Sequence, residues 1–157
     1  MLWEVDIYPA PGQPDRNASA VAGAAADLGL AEGLRVAAAS GYLIQGPLDE
    51  RQVARIAREL LVDSVVERAV IDRAGQHQLV DPVVAGVNGH GGHWQIVHVL
   101  PKPGVMDPVA QSALAAIADL DLKAEAVRTF RKYWLNGLSD EQLKLLCAKV
   151  LANDAIE

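Results

Sequence analysis

Apolar and polar positions follow one order twice along the chain. Trp3–Tyr8 alternates roughly and carries β-branched residues, which predicts a strand. Pro9-Ala10-Pro11-Gly12 ends it as a turn, because proline fixes φ and glycine permits the reversal. Ala18, Val21, Ala22, Ala25 and Leu28 then recur at helical spacing. Their alanine-rich face allows close packing, and Gly29 is placed to end the helix. An extended stretch over Leu34–Gln45 reads as one bent strand or as two strands joined at Ser40-Gly41. Asp49-x-x-Gln52 is a capping-box pattern, and it opens a helix with Val53, Ile56, Ala57, Leu60 and Leu61 on one face. A short strand, Arg68–Ile71, closes the run.

The second run repeats the first. Val5-Asp6-Ile7-Tyr8-Pro9-Ala10-Pro11-Gly12 lines up with Val97-His98-Val99-Leu100-Pro101-Lys102-Pro103-Gly104, and Asp15 with Asp107. Gly41-Tyr42-Leu43 lines up with Lys132-Tyr133-Trp134, and Leu61–Glu67 with Leu151–Glu157. Strands are predicted at Trp94–Leu100 and Ala126–Leu135. Asp107-Pro108 starts a helix with Ala110, Ala113, Leu114, Ile117 and Leu120 inward. Ser139-x-x-Gln142 opens another, with Leu143, Leu146, Cys147, Val150 and Leu151 as its stripe. The pattern of strand, helix, strand, helix, strand predicts an α+β fold of two tandem ferredoxin-like sandwiches. The copies span residues 1–71 and 94–157, with a glycine-rich linker over 72–93. The second copy reaches Glu157, the counterpart of Glu67, without its last strand. A longer natural polypeptide is the simplest expectation; loss of the strand, or its supply by the linker, are the alternatives.

Composition narrows the function classes. The chain has 157 residues, 51% hydrophobic and 22% charged, which suits one domain or two small ones. A net charge of −6 disfavours nucleic acid and anionic membrane as partners. The charge is uneven. Residues 1–71 hold 6 basic and 10 acidic groups, and residues 94–157 hold 7 and 8. Cys147 is the sole cysteine, so no internal disulfide can form. No apolar run approaches a membrane span, and Met1-Leu2-Trp3 enters a strand pattern without a basic leader. A cytoplasmic location is expected.

Several motifs in the second copy resemble a known family. Leu100-Pro101-Lys102-Pro103-Gly104-Val105-Met106-Asp107-Pro108 is similar to the Lys-Pro-Gly-Val-x-Asp-Pro signature of PurS, the small subunit of phosphoribosylformylglycinamidine synthase. Lys132-Tyr133 resembles the family's Gly-Lys-Tyr strand, with Arg131 where glycine is usual. Val150–Glu157 resembles its Leu-Leu-Ala-Asn-Pro-Val-Ile-Glu ending, with Asp154 in place of proline. The first copy resembles it more weakly and lacks the lysine of the turn. The resemblance implies subunits that pair through their sheets, so that two tandem copies form a covalent pseudo-dimer. It implies a non-catalytic module bridging a PurL-like synthetase and a PurQ-like glutaminase, in cis or in trans, for ammonia transfer in purine synthesis. ATP and Mg would belong to the synthetase, and this chain would hold no cofactor. A homo-oligomer is compatible with that role. The alternative expectation is a tandem ACT-like module that binds a small molecule between its copies.

The remaining candidate residues fit the non-catalytic reading. Cys147 lies on an apolar stripe with no activating base, so it reads as a structural thiol. His90 and His93 in the glycine run, with His77 and His98 nearby, lack a cysteine or carboxylate in that run to close a metal site, so none is assigned. The same run matches neither phosphate-binding glycine motif. Lys102 is an interface candidate in the turn. Arg128, Arg131 and Lys132 form a basic stretch interleaved with Phe130, Tyr133 and Trp134. Lys102, Arg128, Arg131, Lys132, Tyr133 and Trp134 are therefore the expected interface set: the basic residues on a solvated sheet edge or a docking surface for an acidic partner, the aromatics covering a sheet face at a copy–copy or subunit interface.

Overall fold

The computed structural model describes residues 1–30, 33–76, 79 and 94–152. The first half runs β1 (Leu2–Pro9), α1 (Arg16–Asp27), β2 (Arg35–Gln45), α2 (Glu50–Ile56) and β3 (Glu67–Arg73). The second runs β4 (Gln95–Val99), α3 (Pro108–Asp119), β5 (Ala126–Asn136) and α4 (Asp140–Leu146). The extended stretch of the first half is one continuous strand, with no break at Ser40-Gly41. The third strand is longer than the apolar run alone predicts. Arg73 pairs with Trp3, so the backbone ladder continues past Ile71.

Local chemistry sets the helix ends. Asp15 and Asp107 accept from the backbone N–H of Ala18 and Ala110. Asp49 with Gln52, and Ser139 with Gln142, form complete capping boxes. Past Ile56 and Leu146 the helical repeat widens, and the N–H of Val62 and of Ala152 donates five residues back, to Ala57 and Cys147.

All five strands lie in one antiparallel sheet of order β3-β1-β2-β5-β4. A mixed α/β chain with this sheet is compatible with a ferredoxin-like fold. The halves join edge to edge through β2 and β5, over the whole length of both strands. Arg35 faces Asn136, Gln45 faces Ala126, and Ser40 faces Arg131 midway, so the ladder extends equally on either side of that pair.

The helix side of the sheet is apolar and interlocked. Ala18, Val21 and Ala25 of α1 pack with Tyr133, Leu135, Leu146 and Leu151 of the second half. Ile117 of α3 packs with Val5, Ile44, Val53 and Ile56 of the first. Each buried Val, Leu or Ile here contributes about 1.5–3 kcal/mol, and both clusters mix residues of the two halves, so neither half owns its core. Gln142 adds a hydrogen bond from its amide to the carbonyl of Leu30.

Candidate functional site

The side of the sheet away from the helices carries the chemistry. Along β1, Trp3, Val5 and Ile7 point to the helices, so alternation sends Glu4, Asp6 and Tyr8 to the other side. Along β5, Tyr133 and Leu135 face the helices, while Lys132 and Trp134 face away. β2 lies between β1 and β5, and its Ala37, Ala39 and Gly41 are short enough for side chains to reach across it. Gly41 is required there. A Cβ would stand 2.5 Å from Phe130 Cζ and 2.3 Å from the Val5 carbonyl oxygen.

A charged cluster fills the space above these small residues. The Lys132 ammonium donates to Glu4 Oε1, to Asp6 Oδ2 and to the carbonyl of Leu79, each at 2.8 Å. Lys132 is 1% exposed and Asp6 0%, so this pairing is shielded from solvent, unlike a surface ion pair. His98 Nε2 lies 3.2 Å from Glu4 Oε1 at the more exposed margin. Aromatic rings wall the cluster. The Lys132 ammonium is 4.8 Å from the Trp134 ring centre, Trp134 stacks on Tyr8, and Phe130 tilts against His98.

The two carboxyls respond in opposite directions. Burial pushes the Asp6 carboxyl up to about 7, against the pull of Lys132. Burial also pushes Glu4 up, but hydrogen bonds from His98 and Lys132 and the lysine charge outweigh it and bring Glu4 down to about 2.

The expected interface set does not form one surface. Lys132, Tyr133 and Trp134 are buried against residues of the first half, between the two halves of the chain and not on a solvated surface. β5 is an inner strand, and its alternation divides neighbours between opposite faces. Tyr133 is core under the helices, and Arg131 donates to the carbonyl of Leu151 at 3.1 Å on that side. Lys102 and Arg128 are exposed and do come together. They line one groove of about 190 Å³ with Val105, Asp107 and Gln111. Asp107 holds its floor, accepting from Ala110 N, Thr129 N and Thr129 Oγ1. Burial raises the Asp107 carboxyl, but these hydrogen bonds and the Arg128 charge bring it below the ordinary range.

The thiol of Cys147 is half-buried and pushed up by that burial, which suppresses the thiolate a nucleophile needs. His77, His90 and His93 lie outside the described residues, as does the stretch after Ala152. Among the described residues, no cluster of histidine, cysteine and carboxylate is arranged to hold a metal, and no helix is long and apolar enough to cross a membrane.

Residues 95–157, from the start of β4 onward, match the family model of PurS, described as phosphoribosylformylglycinamidine (FGAM) synthase. The second half of the chain is PurS-like. The matched stretch carries the Lys102 turn, the Asp107 cap and Lys132. The first half lies outside the match, and no curated protein matches the chain.

Proposed function

We propose that this chain is a non-catalytic assembly module of FGAM synthase in de novo purine synthesis, built as a covalent pseudo-dimer of PurS-like units. The match of residues 95–157 to the PurS family carries the reading. The β2–β5 seam supports the pseudo-dimer, because its ladder is balanced about Ser40 and Arg131, which occupy the same place in the two aligned sequence runs. In this role the chain bridges a PurL-like synthetase and a PurQ-like glutaminase and helps keep the path of ammonia dry. ATP and Mg act on the synthetase. The groove between Lys102 and Arg128 is the docking face for an acidic stretch of one partner, and its charge steers association. The ACT-like alternative is left without support by the family match.

Reconstitution tests the role. The full chain is mixed with the synthetase and glutaminase parts. Light scattering should show a ternary complex, and glutamine-dependent amidine formation should require the chain while ammonia-dependent formation does not. No complex and no effect on glutamine-dependent turnover would overturn it.

A further inference from the structure

The assembly role makes no use of the most deeply buried charges in the molecule. Glu4 and Asp6 come from β1, Lys132 from β5 and His98 from β4, so the cluster is drawn from both halves. The other charged groups of that face are known by alternation. They are Arg68 and Asp72 on β3, of which Asp72 stands opposite Glu4, Arg35 at the far end of β2 over the Trp94 ring, and Arg128 further along β5. Tyr8 faces the same side, and β2 presents only uncharged residues around the cluster, Ala37, Ala39, Gly41 and, opposite Glu4, Leu43.

The hydrogen-bond count is telling. An ammonium has three protons, and those of Lys132 are matched by Glu4, Asp6 and the Leu79 carbonyl. Two buried carboxyls therefore share one buried cation. Ionised together, they leave one negative charge in excess where water is excluded, and neutralising one of them is the cheaper state. Glu4 and Asp6 sit two positions apart on one face of β1 and meet at the same ammonium. Asp6 Oδ1 is buried and has no hydrogen-bond partner among the described residues, so it is the atom on which a proton can rest.

We propose that the Glu4–Asp6 pair takes up one proton from solvent, and that this proton closes a latch joining β1, β5 and the backbone at Leu79. With the proton on Asp6, Glu4 is the single remaining anion of the pair and balances Lys132. The ammonium keeps its third proton on Leu79, whose side chain is buried. Loss of the proton sets two adjacent anions against one cation. It draws Lys132 and water toward them and loosens the hold on Leu79 and the packing around Trp134.

The direction of the pH effect follows from burial. Asp6 holds its proton more tightly folded than unfolded, with a folded value of about 7 against an ordinary 3.8. Its stabilisation is complete below the ordinary value and is lost as pH rises through about 7. Glu4, which is lowered, works the other way. Its contribution is complete above its ordinary 4.5 and is lost as pH falls toward about 2.

The test uses the full chain and the isostere Asp6→Asn, which keeps an acceptor for Lys132 and places N–H protons where the carboxyl would hold its own. Between pH 5.5 and 8 the Tm of the wild type should fall by roughly 5 °C, and that of Asp6→Asn should stay nearly level. Carbon NMR of the Asp6 side-chain carboxyl should titrate near neutrality in the wild type. Trp134 emission, isolated by replacing Trp3 and Trp94 with Phe, should change with the same midpoint. An Asp6 midpoint in the ordinary carboxylate range overturns the proposal, as does an Asp6→Asn curve parallel to the wild type. Titration of Asp6 with no response at Trp134 overturns the latch. None of these readouts requires the partner subunits, so failure here is distinct from failure of the assembly role.

Discussion

Gly41 and Phe130 face each other across the β2–β5 seam, with no room for a methyl group between the glycine and the ring. Gly41→Ala should destabilise the chain by about 1–3 kcal/mol, seen as a lower urea midpoint. Adding Phe130→Leu should restore only part of the loss, because the Val5 carbonyl still stands 2.3 Å from the new carbon. Full recovery in the double variant would show that the ring alone sets the constraint.

Lys132→Met leaves two carboxyls buried without their cation. A loss of about 3–5 kcal/mol is expected at pH 7.5. Replacing Glu4 and Asp6 by Leu in the same chain should return most of it, since an apolar cluster needs no counter-charge. Denaturant unfolding of both variants checks the pair of outcomes, and a triple variant no better than Lys132→Met contradicts the charge argument.

Asp107 does more than cap a helix, because it also accepts from the backbone and hydroxyl of Thr129. Asp107→Ala should therefore cost more than Ser139→Ala, which removes a cap alone and should cost about 1 kcal/mol. The Asp107 carboxyl is lowered, so its contribution is complete above the ordinary 3.8 and lost as pH falls through the folded value. The difference in midpoint between wild type and Asp107→Ala should accordingly narrow below pH 4.

Lys102→Ala and Arg128→Ala test the docking groove. Each should slow association with the synthetase–glutaminase pair, and the combined variant should lose about tenfold in affinity at low salt, with a shallower salt dependence. Both side chains are exposed, so thermal stability should stay within about 0.5 kcal/mol of the wild type. Unchanged binding kinetics would move the docking face elsewhere.

The thiol of Cys147 is raised by burial. It should react with a disulfide reagent several-fold more slowly than an unfolded control at pH 8. Cys147→Ala should leave glutamine-dependent turnover of the reconstituted complex intact.

Local signals are legible in the chain. The caps at Asp49, Asp107 and Ser139 sit three residues from the N–H groups they serve, and the stripes of α1 and α3 are set by spacing within single helices. Faces and long-range partners are not. Arg128, Arg131 and Lys132 look like one basic patch, yet strand alternation sends Arg131 and Lys132 to opposite sides. Lys132 finds its partners 126 and 128 positions away, a pairing that local pattern cannot reveal. One signal was available. Glu4 and Asp6 occupy alternate positions in a strand whose other residues are mostly apolar, and a lysine flanked by aromatics elsewhere in the chain is a fitting counter-charge.

In the proposed pseudo-dimer, joining two like units in one polypeptide would also release them from having to be identical. In an assembly of separate identical subunits, a dyad presents every residue twice, and a buried lysine on one strand implies a second at the mirrored position. Here the place aligned with Lys132 is Gly41, and the place aligned with Asp6 is His98. The polar cluster is thus built once, over a glycine that supplies the space for it. Gene fusion would let each copy specialise, one donating the acids and the other the base, a division of labour closed to a symmetric pair.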